Sequence, residues 1–152
     1  EPLMMPEYVE KLIPSDDIDP NSFYFANAMT KIKKPVEVND VSRIKITTDR
    51  QGCAMYLSRT PIPYPKASSD FDYMKFVGIQ CFSRSALLFC GKTPRGRIEG
   101  IEDIDEYRFL ENDKKMKMVE IPAETLSVDT KTDLIVVRNV IQRRINDGEI
   151  VL

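Results

Sequence analysis

The sequence predicts an α/β protein in which strands and helices interleave along the chain, with a largely parallel sheet and one antiparallel hairpin. Three observations predict it. Segments with helical spacing, of which Leu134, Val137, Ile141 and Ile145 form the clearest, alternate with short apolar runs of strand length. The tetrapeptide Asp49-Arg50-Gln51-Gly52 has turn chemistry and stands between two such runs. The composition, 42% hydrophobic and 30% charged over 152 residues, suits one globular domain with a core of its own.

Taken in order, Pro6 is suited to the first position of a helix over residues 6–13, with Tyr8, Val9, Leu12 and Ile13 on one face. Residues 14–21 are polar and turn-rich, hence a loop, and residues 23–29 form a short strand. Residues 33–42 read as a second loop. Residues 43–48 alternate, with Ile44 and Ile46 on one face, and residues 53–57 return to complete the hairpin. Pro61, Pro63 and Pro65 require an extended chain over residues 60–66, which a polar loop follows at 67–72. Residues 73–82 have the apolar content of a buried strand, and residues 85–90 fit a short helix. The spacing of Ile101, Ile104, Tyr107 and Leu110 predicts a helix over residues 102–112, and residues 116–121 a strand. A last helix covers residues 131–147, with Thr130 as its N-cap, Asp133 as a capping-box-like acid and Gly148 as its terminator. There is no internal repeat and no low-complexity tract.

Charge and residue types narrow the function. A net charge of −2 excludes a general nucleic-acid binder, because the basic run at residues 31–34 is too short to neutralise a phosphate backbone. No stretch approaches the ~20 apolar residues that span a bilayer, so no membrane partner is expected. Cys53, Cys81 and Cys90 lack metal-ligand spacing and read as reduced, buried thiols, which suits a cytoplasmic setting. The chain has no histidine, so imidazole bases and the commonest zinc sites are excluded. Any chemistry must come from carboxylates, Lys, Arg or a hard metal ion.

No Gly-rich phosphate loop is present, and composition and spacing alone do not identify an enzyme. Two local features stand out. Asp129, in Val128-Asp129-Thr130, lies at a strand-to-helix junction, where an acid either caps the helix or holds Mg²⁺ together with substrate phosphates. Arg59 leaves a strand into a Pro-rich stretch, where it either joins a surface ion pair or clamps a carboxylate or phosphate.

Five segments, in order, resemble the CMP-Kdo synthetases, a family of CTP-using sugar-acid cytidylyltransferases. Tyr56-Leu57-Ser58-Arg59-Thr60-Pro61-Ile62-Pro63-Tyr64 resembles the family's YFSRxPIPW segment. Val77-Gly78-Ile79 resembles its IGIY strand, and Ile98-Glu99 through Ile101-Glu102, Ile104-Asp105 and Arg108-Phe109-Leu110 its LExIExLEQLRxL helix. Val128-Asp129-Thr130-Lys131-Thr132-Asp133-Leu134 resembles VDTPEDL, and Glu1-Pro2-Leu3 the end of QGDEPL.

The resemblance implies a nucleotidyltransferase fold, Rossmann-like, with the hairpin as a homodimer contact. It implies that residues 1–152 are the C-terminal part of one cytidylyltransferase domain, the nucleotide-binding N-terminal part being absent, so that the fragment alone is expected to be inactive. The partners would be CTP and a small acidic acceptor, with Mg²⁺ as cofactor. Asp129 matches the family's metal-ligand Asp and carries the catalytic and metal role. Arg59 matches the Arg near the acid substrate. The chain departs from the family at Phe76, where the family has His, at Gln80, where it has Tyr, and at Asp105-Glu106, where it has Glu-Gln. These positions contact the sugar acid in the family. They therefore become the candidate substrate-binding set and leave open a related acid or a phosphonate as acceptor, beside a non-catalytic module that kept the fold. The alternative for Asp105 and Glu106 is a place on the solvent face of the helix at 102–112.

Overall fold

A computed structural model describes residues 2–14, 19, 21–122, 127–128 and 131–149. Its elements are α1 (Pro6–Leu12), β1 (Phe25–Lys31), α2 (Pro35–Val38), β2 (Lys45–Thr48), β3 (Ala54–Ser58), β4 (Met74–Phe82), α3 (Arg84–Lys92), α4 (Arg97–Glu102), α5 (Tyr107–Leu110), β5 (Lys117–Glu120) and α6 (Lys131–Asn146). The strands form a single five-stranded sheet in the order β3-β2-β4-β1-β5. The α/β class and the hairpin are as expected. The sheet, however, is mixed and not largely parallel: β1–β5 is the parallel pair, while β1–β4, β2–β4 and β2–β3 are antiparallel. The apolar content of β4 says nothing about strand direction, and the expected buried strand is open on one face at Gly78 and Gln80.

Alternation along β1 and β4 sends side chains to two separate cores. One core joins Phe25, Ile46, Leu57, Met116 and Met118 to Ala86, Ile104, Tyr107 and Phe109, so α3, α4 and α5 cover that face. Phe109 lies among Phe23, Phe25, Phe82 and Phe89, at ring-centroid distances of 6.2, 4.4, 5.9 and 5.6 Å. The other core joins Ala28, Val77, Ile79 and Ile121 to Leu12 of α1.

Local chemistry accounts for the ends of the elements. In the hairpin, the Asp49 Oδ1 accepts from the N–H groups of Gln51 (2.9 Å) and Cys53 (2.8 Å), and Gly52 adopts φ +75°. Ser83 caps α3 by accepting from the Ala86 N–H at 3.2 Å. Gly148, at φ +75°, ends α6 as expected: its N–H donates to Ile145 O (3.1 Å) while that of Glu149 donates to Arg144 O (2.9 Å), the Schellman pattern. The expected Thr130 cap lies outside the described residues. Pro35 starts the short helix α2 inside the segment expected to be loop.

The expected helix over 102–112 is the main local correction. The chain breaks at Asp103, whose φ is +53°, into α4 and α5. In a continuous helix the carbonyls of Glu102 and Asp103 would accept from residues 106 and 107. Here both accept from the Arg59 guanidinium instead, at 2.7 and 3.0 Å. The break leaves Ile101 72% exposed, outside the stripe that its spacing suggested. It also folds α5 back on α4. The Glu111 carboxylate then accepts from the N–H groups of Ile98 (3.0 Å) and Glu99 (3.2 Å) at the start of α4. The fully buried Glu99 is held by Arg108 on two sides and by Arg95 at 3.2 Å. In a straight helix residues 99 and 108 would lie about 13 Å apart along the axis, too far for that pair.

Tyr107 fastens the folded-back corner to the hairpin. Its hydroxyl donates to Leu57 O and accepts from the Leu57 N–H at 3.2 Å, all in the interior. Tyr107→Phe should therefore leave two buried backbone groups unpaired and lower the unfolding free energy by about 1–3 kcal/mol. Urea unfolding measures this, and an unchanged midpoint would mean that the corner is not fastened there.

Candidate functional site

On β4, Phe76, Gly78 and Gln80 share the face turned to α4 and α5, while Val77 and Ile79 face the other core. Gly78 and Gln80 are exposed, so the sheet surface is open beside the α4–α5 corner. Into that opening comes Glu106, from the residue preceding α5. It is only 8% exposed, and Gln80 Nε2 donates to its Oε1. Glu106 is thus turned inward, while Asp105 is on the solvent side. Burial pushes the Glu106 carboxyl above the usual Glu range. Its own backbone N–H and the Gln80 amide oppose that shift, and the charges of Asp105 and Glu99 reinforce it.

Phe76 lies four residues before Gln80 and packs half-buried on the α3–α5 core. Opposite Gln80, its β1 partner Asn27 is fully buried at an irregularity in the β1–β4 ladder, which passes from Asn27↔Gln80 directly to Ala28↔Val77. The Asn27 amide donates to Ala28 O (2.6 Å) and Val77 O (3.2 Å), and its Oδ1 has no hydrogen-bond partner among the described residues. Sequence reasoning passed over Asn27. Its signal was a lone amide in the middle of an apolar run.

Arg59 reaches the same corner from the end of β3. Nε donates to Glu102 O (2.7 Å), one Nη to Val41 O (3.1 Å) and the other to Asp103 O (3.0 Å). Of the five guanidinium N–H groups, two have no partner among the described residues, one on each terminal nitrogen. The Glu102 carboxylate returns the contact, accepting from Ser58 Oγ (3.0 Å) and from the Arg59 N–H (3.2 Å). Lys45, unremarked in the sequence, lies fully buried beneath and donates to the carbonyl of Arg59.

The structure therefore joins Gln80 to Glu106 and Arg59 to the Glu102–Asp103 turn of the same corner, with Asp105 on its solvent side and Phe76 four residues before Gln80 on the β4 face, beside Ile44. Asp129, expected to hold metal, lies outside the described residues. Among the described residues no group of three potential ligands converges on a metal position. None of their helices is long and apolar enough to cross a membrane.

Comparison with known proteins bears on the family and the fold. No family model matches the chain. Among curated proteins, a 3-deoxy-manno-octulosonate cytidylyltransferase of Solibacter usitatus is 39% identical over 105 residues, which are 68% of this chain and 42% of that protein. The mitochondrial 3-deoxy-manno-octulosonate cytidylyltransferase of Arabidopsis thaliana is 32% identical over 147 residues, 95% of this chain and 50% of that protein. An 8-amino-3,8-dideoxy-manno-octulosonate cytidylyltransferase of Shewanella halifaxensis is 31% identical over 134 residues, 88% of this chain and 55% of that protein. The solved structure of CMP:2-keto-3-deoxy-manno-octonic acid synthetase complexed with CTP superposes with a TM-score of 0.85 at 28% identity, over 95% of this chain and 59% of that one. The chain spans about half the length of the curated relatives it matches. Its mixed sheet is thus of the nucleotidyltransferase type, and the chain belongs to the CMP-Kdo synthetase family.

Proposed function

We propose that the complete protein containing this chain transfers CMP from CTP to a sugar acid of the 3-deoxy-octulosonate kind, releasing pyrophosphate. The observation that carries this reading is the corner itself. The α4–α5 corner holds a buried carboxylate bonded to an exposed-strand carboxamide at Glu106 and Gln80 and, at the Glu102–Asp103 turn, an arginine with two spare N–H groups, in a fold shared with a synthetase solved with CTP. The acceptor hydroxyl oxygen forms the bond to the α-phosphorus, the bond to the pyrophosphate oxygen breaks, and the hydroxyl proton leaves to solvent. Such transfer rests on positioning and charge stabilisation, which a chain without histidine can supply. In this reading Arg59 turns its two spare N–H groups to the acceptor's carboxylate. Gln80 and Glu106 bind its hydroxyl or amino groups, Asp105 borders the opening, and Phe76 is an apolar wall. Mg²⁺, with Asp129 as its ligand in this chain, would neutralise phosphate charge; the VDT segment supports that assignment. The exposed Met55 (63%) and Tyr56 (41%) on β3 support a homodimer built on the hairpin, and the three free cysteines support a reducing, cytoplasmic setting.

One observation favours a narrower acceptor. Glu106 is a carboxyl that burial disfavours as an anion, and a neutral amide there would avoid that penalty. An ammonium group on the acceptor would repay the ionised form directly. The relatives named for the 8-amino sugar acid fit an acceptor of this kind.

Pyrophosphate release from CTP by the complete protein, across a panel of 3-deoxy sugar acids and phosphonates, should be fastest with the sugar acids. The absence of release with every acceptor would refute the proposal and favour the non-catalytic reading. Glu106→Gln should shift kcat/KM from amino-bearing toward hydroxyl-bearing acceptors by about tenfold, the size of one lost charge-assisted contact; equal ratios would place Glu106 outside the pocket. The same variant has a pH signature. Because the folded carboxyl holds its proton more tightly than the unfolded one, its contribution to stability is complete below the ordinary Glu range. It is lost as pH rises through the elevated value. Glu106→Gln cannot ionise, so its stability relative to wild type should grow as pH climbs from the ordinary Glu range upward. Denaturant melts at pH 4 and pH 8 would read this, and a constant difference would contradict it.

A further inference from the structure

Lys45 opens β2 and is 0% exposed. Its ammonium donates to three main-chain carbonyls: Asp40 at 2.9 Å, Arg43 at 2.6 Å, and Arg59. That uses every donor it has. Among the described residues no carboxylate forms an ion pair with it, and the nearby Asp40 carboxylate is bonded to Ser42. Burial pushes its pKa down. Asp40 and Glu102 oppose that shift, and the neighbouring Arg59 charge adds to it. A methionine would fill the same volume without a desolvated charge facing a second cation. What the ammonium alone supplies is three donors converging on one point.

The three carbonyls belong to the chain entering β2 and the chain leaving β3. Lys45 holds the Arg59 carbonyl while Glu102 Oε2 holds the Arg59 N–H at 3.2 Å, so both polar groups of that residue's backbone are fixed. The carbonyls of Asp40 and Arg43 bracket Val41, whose own carbonyl takes one arm of the Arg59 guanidinium at 3.1 Å. Lys45 thus sets both where the Arg59 side chain starts and one of the points where it ends.

We propose that Lys45 is a positioning residue for acceptor recognition: by tying the 40–43 segment to the Arg59 backbone, it aims the two unused N–H groups of Arg59 at the acceptor's acid group. This rests on the reading of Arg59 as the acid-binding residue. Lys45 itself touches no substrate.

The test uses the complete protein with Lys45→Met, which keeps the apolar stem, Lys45→Arg, which keeps a cation, and Arg59→Lys. The first readout needs no catalysis. The Arg59 Nε–H resonance, assigned by its loss in Arg59→Lys, should exchange with solvent at least about tenfold faster in Lys45→Met than in wild type, because its bond to Glu102 O loses its support. The second is kinetic. KM for the acid acceptor should rise about tenfold in Lys45→Met, with KM for CTP and kcat within about twofold, and Lys45→Arg should recover part of the loss. In the Arg59→Lys background, Lys45→Met should add no further change in acceptor KM. If Lys45→Met does not fold, Lys45→Arg is read in its place, with the same pattern at smaller size. Unchanged Nε–H exchange in a folded variant overturns the proposal. So does an equal acceptor-KM effect of Lys45→Met in both backgrounds. An unchanged acceptor KM in Arg59→Lys alone overturns the acid-binding reading of Arg59, and the exchange measurement then decides whether Lys45 fixes that side chain.

Discussion

When the guanidinium of Arg59 takes the carbonyls of Glu102 and Asp103, the segment from 97 to 110 can no longer be one helix. Everything distinctive on this side of the sheet follows from that competition. The carbonyls are satisfied from outside, so the left-handed turn at Asp103 loses no hydrogen bond that a continuous helix would have supplied there. Arg95 adds a bond to the Asp103 carboxylate at 2.7 Å. With the chain turned back, Glu111 reaches the start of α4, Arg108 reaches Glu99, and Tyr107 reaches Leu57. Each of these contacts requires α4 and α5 to lie side by side, and together they make the corner a rigid unit.

The rigidity matters because the corner carries Glu106. A buried carboxylate held only by its own backbone N–H and one side-chain amide is an expensive arrangement, and a helix surface would have let it reach water. The fold instead aims it at the open stretch of β4 where Gly78 provides no side chain and Gln80 stands exposed. Asn27, opposite Gln80 at the ladder irregularity, is fully buried, so its amide oxygen is not part of that surface. On the proposed reading, a buried carboxylate beside an exposed carboxamide suits a ligand that brings donors, as a polyhydroxy or amino sugar acid does. Its acid end requires the opposite chemistry, and Arg59 is a cation at this corner with N–H groups to spare among the described residues.

Much of this was legible in the sequence where a residue's role is local. The hairpin followed from Asp49 and Gly52, α1 from Pro6, the end of α6 from Gly148, and the segments of family resemblance appeared in order. The break at Asp103 was not legible, because helical spacing at Ile101, Ile104 and Tyr107 is satisfied equally by two short helices, and the deciding partner, Arg59, is more than forty positions away. Strand direction was hidden for a related reason: it depends on how the chain, after the hairpin that lies at the sheet edge, returns as β4 between β2 and β1, which apolar content does not encode. Asp105 and Glu106 looked alike in sequence, and only the turn separates the exposed one from the buried one. Lys45 gave no signal, since a lysine in an alternating strand reads as a solvent-facing residue.

The central claim is that this corner is where the acceptor's acid and donor groups are read. The most direct measurement is a crystal structure of the complete protein with a nucleotide and a 3-deoxy sugar acid bound. The acceptor's carboxylate should lie on the two free N–H groups of Arg59, with its hydroxyl or amino groups displacing the Gln80–Glu106 bond. An acceptor bound elsewhere, with Gln80 still bonded to Glu106 and Arg59 still wholly on its carbonyls, would contradict that claim.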